Sequence, residues 1–252
     1  MGRLNNRVAI VTGAAQGIGA AYAKAMAAEG ASVVVADRDD GQQVVDEIIK
    51  GGGTAINIVT DVSDETSCEA MAAETMDAFG SIDILVNNAA LFGHLDAKPF
   101  EEISVDEWDA LMAVNVRGVF VAIKSVTSQM RKQQYGKIIN IASGTLFKGT
   151  PMLLHYVTSK GAVLAMTRCI SREVGDDNIC VNTLAPGLVM SENVLARDTF
   201  SDAGVDANTE TRALKRRQVP EDLTGAMIFL ASADSDFMTG QCVVVDGGSV
   251  NN

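Results

Sequence analysis

The sequence predicts an α/β fold: a doubly wound, seven-stranded parallel sheet with helices on both faces, spanning residues 1–252 as a single domain. Three observations predict it. Short apolar runs alternate with helix-length amphipathic segments from one end of the chain to the other. Ala, Val, Ile and Gly abound while aromatics make up 5%, a mix suited to buried parallel strands under closely packed helices. A glycine-rich turn follows the first apolar run directly, where such sheets bind ligands.

The elements follow in order. RVAIVT (7–12) reads as the first strand, and AAYAKAMAAEG as a helix stopped by Gly30. ASVVVAD (31–37) is the second strand, and QQVVDEIIKGGG a helix ended by three glycines. TAINIVTD (54–61) is the third strand, before a helix over about 64–79 closed by Gly80; IDILVNNAA (82–90) is the fourth. A long helical stretch, about 106–132, precedes the fifth strand, GKIINIAS (136–143). A helix over about 152–175 leads to the sixth, NICVNTLAPG (178–187). An irregular polar insertion at 191–217 comes next, then a helix near 221–232 and the seventh strand, QCVVVDGG (241–248). Strand and helix in strict alternation imply right-handed crossovers and a parallel sheet. No linker rich in Pro or Ser and no repeat divides the chain.

Composition excludes several function classes. A net charge of −12 disfavours nucleic acid and anionic membrane surfaces. The one basic run, RALKRR (212–217), reads as a solvated helix face. The absence of a long apolar run or a signal-type start predicts a soluble, cytoplasmic protein. Cys68, Cys169, Cys180 and Cys242 lie far apart and read as buried, reduced thiols. His94 and His155 belong to no metal-binding pattern and read as structural or substrate-lining, so no metal site is expected.

The turn VTGAAQGIGA places Gly13, Gly17 and Gly19 between the first strand and helix, spaced GxxxGxG. Glycines there permit a tight turn and close approach of backbone to a pyrophosphate, with free helix N–H groups facing it. Asp37 ends the second strand, where a carboxylate accepts hydrogen bonds from ribose hydroxyls and repels a 2′-phosphate. NAD is therefore expected over NADP. Arg38 argues the other way, whereas the uncharged Gln16 gives a phosphate no second cation.

LLHYVTSKGA (153–162) places Tyr156 and Lys160 one turn apart on one helix face. A free phenol has a pKa near 10, and lowering it by roughly three units takes about 4 kcal/mol of preferential phenolate stabilisation. The Lys160 ammonium and the positive ring of bound NAD⁺ are expected to supply that, making Tyr156 the base for an alcohol that gives up hydride. Ser143, at the carboxyl end of the fifth strand, can hold the substrate oxygen.

The motifs TGAAQGIG (12–19), Asp37, DV (61–62), NNAA (87–90), Asn115 in AVNVRG, Ser143, YVTSK (156–160), PG (186–187) and DGG (246–248) occur in this order over essentially the whole chain. With them the sequence resembles the short-chain dehydrogenase/reductase family, whose fold is Rossmann-like. The resemblance implies that Tyr156 is the acid/base, Ser143 the oxygen anchor, and Lys160 a ligand of the nicotinamide ribose. It implies that Asn115 holds a water linking Lys160 to solvent. Gly13, Gln16, Gly17, Ile18 and Gly19 would cradle the dinucleotide, Asp61 and Val62 would touch the adenine, and Asn88 would line the cleft. Pro186, Gly187 and Val189 would border the nicotinamide, with Ser191 in place of the family's usual Thr. Ala90 stands where the family more often has Gly. The resemblance further implies a lid over about 188–217 and a homotetramer built on the helices near 106–132 and 152–175.

Within the family the pattern is similar to bacterial NAD-dependent secondary-alcohol dehydrogenases. Leu146, Phe147, Leu153, Leu154, Leu188 and Met190 suggest a pocket for a medium-sized, partly apolar or cyclic alcohol or ketone. Two alternatives stand beside that expectation: an NADPH-dependent 3-oxoacyl or sugar reductase, and a catalytically silent NAD-binding interaction protein.

Overall fold

Alternation along each strand sorts the core into two layers. The computed structural model describes residues 2–92, 95–195 and 202–250. Its seven strands are β1 (Val8–Thr12), β2 (Ser32–Asp37), β3 (Thr54–Val59), β4 (Ile84–Asn87), β5 (Gly136–Ile141), β6 (Ile179–Pro186) and β7 (Cys242–Val245). They form one sheet in the order β3-β2-β1-β4-β5-β6-β7, with every pairing parallel. Ala9, Val11, Val33, Val35, Ile84 and Val86 face one layer, whereas Ile10, Val34, Ala36 and Leu85 face the other. That is the two-residue period of a strand buried on both faces.

The first layer holds α1 (Gly17–Ala28), α2 (Gln42–Lys50) and α10 (Glu221–Ala231), through Tyr22, Met26, Ile48 and Met227. The second holds α3 (Glu65–Phe79), α5 (Val119–Gln133) and α7 (Leu154–Glu173), through Met71, Ile123, Val126 and Val163. Asp64 caps α3 by accepting from the Thr66 N–H, and Ser104 caps α4 (Val105–Met112) by accepting from Glu107. Ser104 and Glu107 stand in the S-x-x-E spacing of a capping box.

Several expectations need correction. The long helical stretch is interrupted by a π-helical turn, Ala113–Gly118, between α4 and α5. The helical run Val105–Gln133 is long and apolar enough to cross a membrane. In the fold its apolar residues Val119, Val121, Ala122, Val126 and Met130 pack on the sheet. The insertion at 191–217 is not wholly irregular, since it carries α8 (Glu192–Leu195) and α9 (Asp202–Glu210); residues 196–201 lie outside the described residues. The basic run is not a helix face either. Arg212 is buried, and the rest is a turn in which Arg216 pairs with Asp222 at 2.6 Å and Arg217 with Asp206 at 2.8 Å. Of the four free thiols, Cys68 is buried and Cys169 exposed, the other two being intermediate.

Candidate active site

Strand order reverses between β1 and β4, and a crevice opens beyond the carboxyl ends of strands flanking such a point. A cavity of about 700 Å³ lies there, lined at one end by the glycine loop, Asp37 and Asp61 and at the other by Ser143, Tyr156 and Lys160. That volume is within the usual range for a small-molecule site.

The loop is built for close approach. Gly13 has φ +65°, and a Cβ there would meet the Ala89 Cα at 2.7 Å. A Cβ on Gly19 would meet the Gly13 carbonyl oxygen at 2.1 Å. Asn88 clamps the loop to β4, its Nδ2 donating to the carbonyls of Thr12 (3.0 Å) and Gly13 (2.9 Å). Gln16 precedes the first turn of α1 in extended conformation and makes no side-chain cap, so the helix N–H groups stay open to an anion. We expect Gly19→Ala to abolish measurable dinucleotide binding in a calorimetric titration. It should also destabilise the fold by about 2 kcal/mol or more in a urea melt, because backbone rather than a flexible side chain is in the way.

At the far end of the loop the Asp37 carboxylate accepts from the N–H of Ala15 (2.9 Å) and of Asp39 (3.1 Å), which fixes it at the tip of β2. Arg38 is 65% exposed and turns toward Asp39, 3.9 Å away. Asp61 accepts from the Ser63 N–H and hydroxyl, bonds that hold its carboxyl below the usual range. Val62 and Val189 are buried at the wall, and Ile18, Pro186, Gly187 and Ser191 also line the cavity. These residues fit a dinucleotide: the loop excludes side chains where phosphates would lie, and an acid waits where ribose hydroxyls would.

The catalytic candidates converge as the spacing implied. Tyr156 is 7% exposed and Lys160 3%. The ammonium sits 5.6 Å from the centroid of the phenol ring, and its Nζ donates to the Ile141 carbonyl at 2.9 Å. The Ser143 hydroxyl bonds the phenol and accepts from the Thr145 hydroxyl (3.0 Å) and N–H (3.3 Å). Asn115 is fully buried in the π turn. Its Oδ1 accepts from the Leu91 N–H at 2.7 Å, while Nδ2 donates to the Leu91 carbonyl (3.2 Å) and the Ser159 hydroxyl (3.3 Å). The side chain thus clasps the loop after β4 to α7.

A second device fixes α7. Asn87 donates to Asn140, Asn140 to Thr167, and Thr183 also to Thr167, each at 2.8 Å. Thr167 lies two turns beyond Lys160 on the same face, so this satisfied buried network sets the rotation of the helix that carries the site. Nothing in the linear spacing of these four residues announces it.

Burial sets the electrostatics of the unliganded site. Burial pushes Tyr156 up to about 12 against a smaller opposing effect of the Ser143 bond, and burial pushes Lys160 down to about 8. The lysine's best-placed acceptor is a neutral carbonyl, so no ion pair offsets desolvation.

The pocket residues divide. Leu153 and Leu188 line the cavity together with Phe92, whose ring centroid is 4.7 Å from that of Tyr156. Leu146, Phe147, Leu154 and Met190 do not. Leu154 faces solvent, and Met190 is drawn into a small cluster with Val194 and Val205. Sequence reading missed Lys148, Asn208 and Arg212, which line the same end. His155 is buried against α4, its Nε2 3.4 Å from Glu107, and His94 lies outside the described residues.

A family model described as Enoyl-(Acyl carrier protein) reductase matches residues 13–250. The short-chain dehydrogenase/reductase eriH of Hericium erinaceus is 38% identical over 251 residues, 97% of this chain and 98% of the relative. The chain belongs to the short-chain dehydrogenase/reductase family. Other family members similar to it include a sorbitol dehydrogenase of Cereibacter sphaeroides, 38% identical over 98% of each chain. A galactitol 2-dehydrogenase of Agrobacterium fabrum is 36% identical over 98% of each. Among solved structures, a protein assigned as an NAD(P)-dependent gluconate 5-dehydrogenase from Beutenbergia cavernae, with NADP bound at low occupancy, superposes with a TM-score of 0.90. It is 36% identical, and the match covers 98% of this chain and 97% of that one. As a member of this family the chain is an oxidoreductase that uses a nicotinamide dinucleotide.

Proposed function

We propose that the chain interconverts a secondary alcohol and a ketone by hydride transfer, preferring NAD, with Tyr156 as the acid/base. The observation that carries this reading is the meeting of Ser143, Tyr156 and Lys160 in one buried cavity with the glycine loop and Asp37. Sugar-alcohol dehydrogenases among the relatives support the reaction class.

When bound, the oxidised cofactor would supply the hydride acceptor and a positive charge. The protein does the rest. Thr145 occupies the acceptor side of Ser143, which turns the Ser143 hydrogen toward the phenol and the substrate oxygen. Tyr156 takes the hydroxyl proton in oxidation and returns it to the carbonyl oxygen in reduction. Phe92, Leu153 and Leu188 keep water from the reacting carbon. Burial raises the phenol to about 12, so the unliganded site favours the protonated, proton-donating form.

Asp37 and the outward-turned Arg38 support NAD. A panel of secondary alcohols with NAD⁺ and NADP⁺ in parallel tests both parts. The expected result is kcat/KM at least about tenfold higher with NAD⁺, narrowing in Asp37→Ser. Preference for NADP⁺ in the unmodified protein would overturn the role of Asp37. Dinucleotide binding without any absorbance change across the panel would favour the silent binding protein. We further infer a homotetramer, supported by Phe120 lying exposed on α5; a solution mass of one chain in light scattering would refute it.

A further inference from the structure

The substrate end of the cavity holds two cations, Lys148 and Arg212, that share one carboxylate, Asp246. Arg212 is 3% exposed, and among the described residues its guanidinium donates only to neutral groups: the carbonyls of Leu188 (2.7 Å) and Arg216 (2.8 Å) and the Asn208 side chain (3.1 Å). Its Nε is buried without a partner. Lys148 ends the short α6 (Thr145–Lys148) that follows Ser143, and its Nζ donates to the hydroxyls of Thr211 and Ser249. Among the described residues, neither cation has an acid within ion-pair distance.

Its neighbours show how unusual that is. In the same stretch Arg216 is bidentate on Asp222, Arg217 pairs with Asp206, and Lys215 lies 3.6 Å from Glu210. Among the described residues lining this end, Asp246 is the only acid. Its oxygens accept the backbone N–H groups of Gly248 (2.9 Å), Ser249 (3.1 Å) and Val250 (3.0 Å). Two cations therefore face one anion committed to a turn, in a chain whose net charge is −12. Arg212 is a buried charge whose hydrogen-bond partners are neutral, so a ligand that brings a counter-ion offsets its desolvation, while the exposed Lys148 adds its charge at the same end.

We propose that the substrate is a hydroxy acid, or its oxo acid, whose carboxylate is held by Lys148 and Arg212 while its carbinol lies at Ser143 and Tyr156. Lys148 and Arg212 are separate from Ser143 and Tyr156 along the cavity lining, so the carboxylate is set apart from the carbinol. The apolar wall of Phe92, Leu153 and Leu188 accepts the carbon skeleton between them. This inference rests on the alcohol/ketone reading above and adds the anionic group to it.

Binding tests it separately from turnover. The NADH-loaded protein is titrated with cyclohexanecarboxylate and with the uncharged cyclohexanecarboxamide, following nicotinamide fluorescence. The carboxylate is expected to bind at least about tenfold more tightly, with a preference that weakens as salt is raised. In Lys148→Met the ratio should fall toward one, and Arg212→Lys, which keeps the charge but loses the planar fork, should reduce it less. Equal affinity for the two probes, or an unchanged ratio in Lys148→Met, would overturn the proposal. Failure of every alcohol to react, with the carboxylate preference intact, would instead refute the dehydrogenase reading.

Discussion

Tyr156→Phe is expected to lower kcat for alcohol oxidation about 10³-fold while changing NADH affinity less than about threefold. The argument is local. The hydroxyl removed is the group placed to exchange a proton with the substrate, and general acid–base catalysis contributes on the order of 10²–10⁴-fold. What remains is the Ser143 hydrogen bond and the alignment of substrate with cofactor. The ring itself keeps its packing against Phe92, and among the described residues the lost oxygen was hydrogen-bonded to the Ser143 side chain. The variant should therefore fold normally and melt within about 2 °C of the parent. Loss of dinucleotide binding along with turnover would assign Tyr156 a structural role instead.

Lys160→Met is expected to trade activity for stability. Burial pushes the ammonium down to about 8 from 10.5, so holding it charged at neutral pH costs on the order of 3 kcal/mol. Methionine fills similar volume without charge, but leaves the Ile141 carbonyl without this donor, a loss of about 1 kcal/mol. The net gain is about 2 kcal/mol, or roughly 5 °C in Tm for a domain of this size. The sign of the pH dependence follows from linkage. Below about pH 8 the lysine is protonated in both folded and unfolded chains, and the penalty is complete. As pH rises from about 8 toward 10.5 the folded protein has already released a proton that the unfolded chain retains, so the parent gains stability relative to the variant. The advantage of Lys160→Met should shrink across that window in thermal melts. Turnover should fall at least about tenfold throughout, and a variant less stable than its parent at pH 7 would contradict the account.

What could be read from the sequence follows what is local and periodic. The central strands announce themselves because they alternate between two apolar layers, as Ile84, Leu85 and Val86 do. The glycine loop, Asp37, Ser143, Tyr156 and Lys160 were legible because each sits at a strand end or on one helical face, where spacing implies proximity. Short elements without an apolar stripe, α6, α8 and α9, were not. Nor was the π turn at Asn115, which no residue pattern marks. Arg212 was misread because its burial depends on Leu188 and Asn208 and on the far strand end at Asp246, all supplied by the fold. The ionisation of Tyr156 lay beyond spacing for a related reason. Adjacency to a lysine is written in the chain, whereas the exclusion of water that dominates both groups is a property of the packed site.

The most direct measurement is the pH dependence of kcat/KM for alcohol oxidation at saturating dinucleotide, in the parent and in Tyr156→Phe. A single phenol that must be ionised predicts a rise of about tenfold per pH unit until its pKa in the complex is passed, with ketone reduction flat over the same range, and no such rise in the variant. An oxidation profile that is flat between about pH 6 and 9, or a slope that survives in Tyr156→Phe, would mean that the proton leaves by another route.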